Sequence, residues 1–482
     1  MFLRSLVIED VRSIEYLKFD FTTEDLKTRK WTIVLGENGT GKSTALRAAA
    51  LVLGGSDLLP VLVPDPAVWV RNGAKVSRIK AEIRTAQNEL REVSLEINRT
   101  QTASEIVKRN HKNLMQLDAA LAHSFRNYFI AGYGASRRLP GPKSATFESS
   151  DTFSHPRAQA VATLFSGDAT LRALDAWAMD LDYRLKKTGM EMIDNALDEL
   201  LPGVNFLRID RTRRRLLFET PDGVVPLQQL SDGYQNIASW IGDLLFRITE
   251  TFKSYLNPLK ARGILFLDEI DLHLHPIWQR QLLSYLDAKL PNFQFFATTH
   301  SPFTAQQAWP GSLHVLERSP ARKGKPGVIN AQQYGGDPKL LRVDQLLEPL
   351  LGLGTSESGA AEKLRDKQKE LRKKKRRTPT EERDFRQYTT AVRGLPEVQR
   401  MEAPEKERFD LLRRIEQHLE KSTAAPAPRK TRAKRKAVAT ASTPPAEAIE
   451  SAFAKLALEP AVTAPGRVER SSKSRATRRR RR

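Results

Sequence analysis

The sequence predicts an α/β protein built on a largely parallel sheet, because short buried strands alternate with helices along the chain. Residues 31–35, 263–267 and 293–298 are continuous apolar runs, which is typical of strands covered on both faces. A helix-forming segment, residues 45–53, follows the first run. A second helix is expected to begin at Pro276, where a first-turn proline is favourable, between the other two runs.

Weaker patterns extend this α/β core with an antiparallel subdomain and a helical insertion. Alternating apolar residues predict two N-terminal strands, carried by Leu3, Leu6, Ile8, Ile14, Leu17, Phe19 and Phe21. We further expect two charged strands over residues 79–97, a helix from residue 118 into a strand at 128–131, helical periodicity over 157–201, a hairpin over 206–225 that turns at Pro221-Asp222-Gly223, and a long helix from about 230 to 255.

Composition describes a globular chain and excludes several classes of site. Of the 482 residues, 40% are hydrophobic and 28% charged, which is enough apolar material for a core. No apolar run approaches the ~18–20 residues of a membrane span, and Glu9 and Asp10 stand where a signal peptide would be apolar. We therefore expect a soluble, cytoplasmic protein without a membrane partner. The absence of cysteine excludes disulfides, thiolate metal sites and cysteine nucleophiles.

The net charge of +22 is concentrated toward the C-terminus. Residues 361–482 carry 35 basic and 17 acidic side chains, whereas residues 1–360 carry 44 and 40. Past Lys421 the composition is rich in Ala, Pro, Lys, Arg, Ser and Thr, so this tail is expected to be disordered. Such asymmetry indicates sequence-independent contact with nucleic acid through phosphates; a merely solubilising tail is the alternative.

A phosphate-binding loop follows the first buried run. The residues Gly36-Glu37-Asn38-Gly39-Thr40-Gly41-Lys42-Ser43-Thr44 fit G-x-x-x-x-G-K-[ST] between a strand and a helix. The glycines let backbone amides surround phosphate oxygens at a helix N-terminus. Lys42 is expected to neutralise the β- and γ-phosphates and the Ser43 hydroxyl to ligate Mg²⁺. The loop predicts a nucleotide site.

Carboxylates and a histidine end the other two buried runs. Asp268 is placed to hold Mg²⁺ and Glu269 to polarise the attacking water. His300, which is 32 residues after Asp268, is expected to contact the γ-phosphate, although a lone histidine is more often structural.

A third motif opens the long helix that begins near residue 230. In Leu230-Ser231-Asp232-Gly233-Tyr234-Gln235-Asn236, the Ser231 hydroxyl and the backbone at Gly233 are expected to form a second anion site. A Ser-Asp-Gly turn is weak evidence alone and strong evidence in this order with the other motifs.

Together these motifs resemble those of the ABC-type ATPases, with Walker A at residues 36–44, a signature at 230–235, Walker B at 264–269 and a switch histidine at His300. The chain is similar to the RecF/SMC-like branch of that group. The signature departs from Leu-Ser-Gly-Gly-Gln, since Asp232 replaces the first glycine and Tyr234 the glutamine.

Three stretches carry a closer resemblance to the bacterial AAA-family ATPases of anti-phage systems, namely the Septu-like and retron-associated subunits and the OLD ATPases. They are Leu267-Asp268-Glu269-Ile270-Asp271-Leu272-His273-Leu274-His275-Pro276-Ile277-Trp278-Gln279, Phe295-Phe296-Ala297-Thr298-Thr299-His300-Ser301-Pro302-Phe303 and Tyr133-Gly134-Ala135-Ser136-Arg137. The resemblance covers roughly residues 1–353. It implies ATP and Mg²⁺ as cofactors, an ATP-dependent homodimer or higher oligomer, and a separately encoded nuclease or toxin as effector.

The predicted organisation has five parts. These are an ATPase lobe with Walker A (residues 1–65), a β subdomain with a helical insertion (66–225), a second lobe with signature, Walker B and His300 (226–355), a charged helical extension (356–420) and the basic tail (421–482).

Competing interpretations remain for the function and for two clusters. A transporter ATPase is disfavoured, because Ser231 lies 189 residues after Lys42, and no acidic strand for a nuclease follows His300. An ATPase switch is favoured; a RecF-like repair or chromosome-maintenance ATPase and a non-hydrolysing scaffold are the alternatives. His273 and His275 lie beside two carboxylates and could form a metal site, an interpretation that we disfavour. Arg137 and Arg138 are either phosphate or partner contacts or a solvated pair.

Overall fold

The computed structural model describes residues 2–85, 88–121, 129–137, 153, 155–197, 201, 203–252, 257–319, 327–343, 345–346, 359–374 and 376–393. Contacts divide the chain into Met1–Pro396 and Glu397–Arg482, and the second unit, with the predicted tail, lies outside the described residues.

The described elements alternate between strands and helices for most of the chain. The strands are β1 (Phe2–Val11), β2 (Ile14–Asp20), β3 (Trp31–Gly36), β4 (Val76–Arg84), β5 (Leu90–Asn98), β6 (Ile130–Tyr133), β7 (Asn205–Asp210), β8 (Arg215–Thr220), β9 (Gly223–Pro226), β10 (Gly263–Leu267), β11 (Phe293–Thr299), β12 (Leu313–Arg318) and β13 (Ile329–Gln333). The helices are α1 (Lys42–Gly54), α2 (Leu59–Leu62), α3 (Ala103–Leu121), α4 (Pro156–Gln159), α5 (Ala162–Phe165), α6 (Leu174–Leu197), α7 (Asp232–Thr251), α8 (Pro276–Lys289), α9 (Pro302–Ala305), α10 (Gly359–Lys373) and α11 (Pro379–Arg393).

These strands form three sheets. The core sheet has the order β13-β12-β3-β11-β10-β6, in which all neighbours are parallel except the β12–β13 pair. An antiparallel sheet has the order β2-β1-β4-β5, and a smaller antiparallel one the order β7-β8-β9. The predicted fold class is confirmed: an α/β core with a mostly parallel sheet and an antiparallel β subdomain.

The core sheet is apolar on both faces because it separates two hydrophobic clusters. In β3, Ile33 and Leu35 belong to the cluster that includes α6, α7 and α8, whereas Val34 belongs to the cluster of α1 and the four-stranded sheet. Leu265 and Phe266 of β10 divide in the same way. Successive side chains of a strand point to opposite faces, so a strand covered on both sides is apolar throughout.

The parallel core brings four chain segments to one edge of the sheet. Strands β3, β6, β10 and β11 run in the same direction, so the residues that follow their carboxyl ends are neighbours in space. These segments are the phosphate loop, the residues after Tyr133, the Asp268 pair and the residues around His300.

Several boundaries differ from the prediction. The helix expected from residue 118 begins at Ala103, because Thr102 and Glu105 form a reciprocal capping box: the Thr102 amide donates to Glu105 Oε2 at 2.8 Å and the Glu105 amide to Thr102 Oγ1 at 3.4 Å. Its junction with β6, residues 122–128, lies outside the described residues.

The insertion is also less helical than its periodicity predicts. The long helix α6 begins only at Leu174, since residues 166–173 are not helical and the Asp168 amide donates to Ser166 Oγ in a local turn. The hairpin over residues 206–225 is a three-stranded meander with a second turn at residues 211–214, while the predicted turn before Gly223 is present.

The antiparallel sheet combines segments that the predicted domain boundaries separate. Strand β4 pairs with β1 from the N-terminal segment, and β6 from the same 66–225 segment joins the core sheet. The boundary near residue 65 therefore does not divide the sheets.

Candidate nucleotide-binding site

The phosphate loop is an open turn between β3 and α1. Glu37, Asn38 and Gly39 are exposed, and Gly39 and Gly41 have φ angles of 78° and 90°, which favour glycine. In the described part of the chain, the amides of Asn38 and Gly39 have no hydrogen-bond partner. These amides can therefore donate to the oxygens of a bound phosphate.

The base of the loop is held closed by close packing. A Cβ on Gly36 would lie 2.7 Å from the carbonyl oxygen of Leu316, so only glycine lets β3 end against β12 here. The Thr40 hydroxyl donates to the Glu37 carbonyl at 2.8 Å, and Arg318 Nη2 donates to the Gly39 carbonyl at 2.8 Å. Sequence reasoning missed Arg318, which comes from a strand that it did not predict.

Lys42 lies folded across the loop. Its Nζ donates to the carbonyls of Gly36 at 2.8 Å and Glu37 at 2.7 Å. Burial lowers the pKa of Lys42 to about 8, against the opposing influence of nearby carboxylates, Asp268 first. An ammonium has three donors, so one remains for an incoming phosphate, whose negative charge favours the protonated amine. Ser43 is half-buried one residue further on, and Thr44 is buried in α1.

The two carboxylates after β10 lie at the same edge. Asp268 is buried, and its Oδ1 accepts a hydrogen bond from Thr298 Oγ1 at 2.7 Å, while the Glu269 amide donates to the same hydroxyl oxygen at 2.8 Å. Glu269 has a φ of 49°, an uncommon conformation for a residue with a side chain. The chain therefore turns sharply between the two acids, and Thr298 fixes that turn.

The structure brings His300 near the phosphate loop and the acidic pair. Burial lowers the pKa of His300, as does the nearby Lys42 ammonium, against the pull of Glu269. Its neighbour Thr299 donates through Oγ1 to Asp271 Oδ2 at 2.6 Å. Ser43 and Asp268 supply a hydroxyl and a carboxylate, oxygen donors of the kind that Mg²⁺ prefers, so the residues present fit Mg²⁺ with a nucleotide.

The signature turn lies at the start of α7. Ser231 is the exposed N-cap of the helix, and its side chain makes no capping hydrogen bond. A Cβ on Gly233 would lie 3.1 Å from the His273 carbonyl, so the turn packs against the segment that follows Walker B. The Tyr234 ring packs edge-on against the Trp278 ring, with their centroids 4.6 Å apart. Ser231 and Gly233 are thus on a separate surface turn from the phosphate loop.

Arg137 connects this signature helix to Walker B. Its Nη2 donates to the carbonyls of Asp268 at 2.7 Å and Glu269 at 3.1 Å, and its Nη1 donates to Asn236 Oδ1 at 2.8 Å. The side chain is 9% exposed, and burial lowers its pKa to about 10, which leaves it charged at neutral pH. Arg137 is therefore not a solvated side chain, and it is not exposed for contact with a phosphate. Arg138 lies outside the described residues.

A second buried contact joins Tyr133, the last residue of β6, to α7. The Tyr133 hydroxyl donates to Asp243 Oδ2 at 3.1 Å, and Arg247 donates to both Asp243 oxygens at 2.6 and 2.9 Å. Asp243 lies seven residues after Asn236, so both polar contacts are on one face of α7.

The two histidines near Walker B differ from the arrangement of a metal site in the part of the chain that the structure describes. In the described part of the chain, no group of three or more His, Asp and Glu side chains could hold a metal ion. His275 is instead the N-cap of α8, and its Nδ1 accepts from the Ile277 amide at 3.4 Å.

Family models match both halves of this site. Residues 5–128, which include the phosphate loop, match the model described as "AAA domain". Residues 71–305, which include the signature, Walker B and His300, match "AAA domain, putative AbiEii toxin, Type IV TA system". The chain carries AAA-family ATPase domains.

Named relatives agree with this assignment. The chain is 26% identical to the Septu protein PtuA of Bacillus mycoides (strain KBAB4) over 351 residues, 69% of this chain and 45% of that protein. It is 31% identical to the Retron Ec83 probable ATPase of Escherichia coli over 194 residues, 38% of this chain and 35% of that protein. The Retron Vc95 probable ATPase of Vibrio cholerae serotype O1 biovar El Tor is 23% identical over 62% of this chain and 70% of that protein. The chain thus spans less than half of two of these three homologues.

Solved structures similar to this AAA-family ATPase include SMC heads. A SMC head bound to the C-winged helix domain of ScpA gives a TM-score of 0.41 at 14% identity, covering 70% of this chain and 99% of that one. The SMC head domain from Thermotoga maritima gives 0.37 at 14% identity, covering 69% and 99%. None of the helices in the described residues has the length and apolar character that crossing a membrane requires.

Proposed function

We propose that this protein hydrolyses ATP with Mg²⁺ and uses the nucleotide as a switch. The observation that carries the proposal is the meeting of three motifs at one sheet edge: Lys42, the Asp268–Glu269 pair and His300 influence one another electrostatically there. The motifs come from three parallel strands, and such an edge is where open α/β sheets bind ligands.

Each side chain then has a distinct part. The loop amides and Lys42 bind the β- and γ-phosphates, and Ser43 with Asp268 would hold Mg²⁺, which supplies charge neutralisation on the phosphates. Glu269 accepts a proton from the attacking water. His300, which lies near Lys42 and the acidic pair, donates a hydrogen bond toward the γ-phosphate.

The signature supports an ATP-dependent dimer. Ser231 is exposed, its side chain makes no capping bond, and Gly233 packs against the His273 segment of the same chain. In a two-fold pair, the amides and hydroxyl of this turn would reach the nucleotide of the other subunit, so two nucleotides would be enclosed together.

The biological setting follows from the homologues. The relatives are a Septu protein and two retron ATPases, so we assign the switch to anti-phage defence. In that setting it would act with nucleic acid and with a separately encoded nuclease or toxin effector.

Phosphate release from ATP tests the catalytic assignment. Glu269→Gln should keep ATP binding and lower turnover by about 10²- to 10⁴-fold, since the proton acceptor is lost and the Mg²⁺ ligands remain. Lys42→Ala should lose nucleotide binding, measured by calorimetry with a slowly hydrolysed analogue.

Glu92→Gln is the matched control, because Glu92 is an exposed carboxylate on β5. Wild-type turnover by Glu269→Gln would place the proton acceptor elsewhere. An unmodified protein that binds Mg·ATP and releases no phosphate would favour a non-hydrolysing scaffold instead.

A further inference from the structure

We infer that the folded body has a binding surface for single-stranded nucleic acid, separate from the basic tail. The surface, called here the hairpin patch, consists of residues 179–190 of α6 and residues 205–215 of β7, its turn and the start of β8. The hairpin patch would be the surface through which the protein contacts nucleic acid in the proposed function. It contains no residue of the nucleotide site.

Charge is concentrated in this patch. Residues 179–190 and 205–215 contain eight basic and three acidic side chains, a net of +5, whereas residues 1–360 as a whole carry 44 basic and 40 acidic ones. The remainder of that body is therefore close to neutral. A local excess of basic side chains attracts polyanions.

Among the residues that the structure describes, part of this positive charge has no carboxylate partner. Arg211 is paired with Asp182 through two bonds of 2.8 and 3.0 Å, and Arg184 with Asp180 and Glu250. For three other exposed cations, no carboxylate partner occurs among the residues that the structure describes; these are Lys186, Lys187 and Arg208. They are available for phosphates.

A break in α6 presents part of this charge. Lys186 has φ 48° and ψ −118°, which interrupts the helix, and Tyr183, Lys186 and Lys187 are exposed around it. A Cβ on Gly189 would lie 2.2 Å from the Leu181 carbonyl oxygen, so the two helical segments meet too closely there for any other residue. The bend is therefore built into the sequence.

The patch also offers an aromatic surface. Tyr183 is 85% exposed, the most exposed large apolar side chain in the described chain. It lines a groove of about 960 Å³ together with Met179, Met190, Lys187 and Arg214. A ring beside cations can stack a base while phosphates pair with the cations, which requires unpaired bases and so favours a single strand over a duplex.

Fluorescence anisotropy without ATP tests the patch in the full-length chain. The probes are a labelled oligo-dT of about 20 nucleotides and a duplex of equal length. All variants are made in a parent protein in which Gln replaces the basic residues of the two tail clusters, residues 430–436 and 478–482. Nucleic-acid binding by the tail then does not mask binding by the patch. Lys186→Gln/Lys187→Gln should weaken oligo-dT binding and reduce the slope of log K against log salt by about 1.4.

Tyr183→Ala separates stacking from charge. It should weaken oligo-dT binding at least about fivefold, with the duplex almost unaffected and the salt slope unchanged. The side chain is 85% exposed, so removing it leaves folding intact. Lys108→Gln/Lys112→Gln, an exposed pair on α3, is the matched control and should change neither measurement.

Three results would overturn the inference. They are oligo-dT binding that is indifferent to both patch variants, an equal loss with the Lys108/Lys112 control, and a Tyr183→Ala loss as large for the duplex as for the single strand. Because phosphate release is measured separately, a failed patch and a failed ATPase assignment give different results.

Discussion

At the scale of single residues, Arg137 carries its charge in a buried environment beside the candidate nucleotide site. It is buried and charged, and such a group is stable only when its donors are satisfied. Its guanidinium donates to three backbone carbonyls, those of Gly134, Asp268 and Glu269, and to Asn236. It therefore holds the turn that carries both acids, and its link to Asn236 connects that turn with the signature helix.

We predict that Asn236→Ala lowers kcat for ATP about tenfold and leaves KM within about twofold. The variant removes a hydrogen bond to a charged group, of about 1.5–3 kcal/mol, that orients Walker B and does not contact phosphate. Steady-state phosphate release measures both constants.

The control for this variant is Asn195→Ala, since Asn195 is an exposed amide that, among the described residues, donates to the Glu191 carbonyl in the preceding turn of α6. Arg137→Lys combined with Asn236→Ala should cost less than the sum of the single effects, because both act through one contact. Additive losses, or a raised KM with normal kcat, would show that Arg137 does not position the carboxylates.

At the scale of elements, β12 shows how a buried titratable group acts on stability. His314 lies in this strand and packs against Phe19 with ring centroids 5.5 Å apart. Burial, reinforced by Arg29, lowers the pKa of His314 to about 4 from 6.5. The unfolded chain therefore binds a proton between these values that the folded chain does not, and stability falls as pH decreases through that window.

We predict that His314→Leu removes this acid sensitivity. Between pH 6.5 and 4, the wild type should lose about 1.4 kcal/mol per pH unit more than the variant, or about 3 kcal/mol in total. Urea unfolding at several pH values measures the difference. The exposed His111 on α3 provides the control variant His111→Leu, which should follow the wild type. Parallel pH profiles for His314→Leu and wild type would contradict the assignment.

Local pattern accounts for the elements that the sequence predicts well. Strand β10 and the start of α8 lie where the apolar run and Pro276 place them, since each signal is contained within a few residues. Strand β12 was missed because Glu317 and Arg318 interrupt its apolar run near the end and His314 near the start. Its pairing with β3 comes from tertiary contact.

The motif residues of the candidate site can be predicted from the sequence because each motif is contained within a few consecutive residues. The phosphate loop and the Asp268 pair are short and follow buried strands. The contact between Arg137 and Asn236 joins residues 99 positions apart, and Arg318 reaches Gly39 across 279. Neither contact has a local signal, so only the folded arrangement of strands reveals it.

At the scale of the whole molecule, the proposed dimer would enclose each nucleotide between two surfaces that lie apart on one chain. Lys42 and Glu269 are at the sheet edge, whereas Ser231 is on an exposed turn at the start of α7. The buried Arg137–Asn236 and Tyr133–Asp243 contacts join α7 to β6, the strand beside Walker B. In a dimer, nucleotide at one site would thus act through α7 on the catalytic turn of the other.

The central claim is that ATP closes this enclosure between two copies. The most direct measurement is the mass of Glu269→Gln by light scattering, with and without Mg·ATP, because this variant should bind ATP without releasing it as product. We predict a monomer mass that doubles with Mg·ATP, and no doubling when Ser231→Arg is added, since the larger cation blocks the signature turn. A mass that never rises with Mg·ATP, or an oligomer that is the same with and without Ser231→Arg, would contradict the ATP-gated switch.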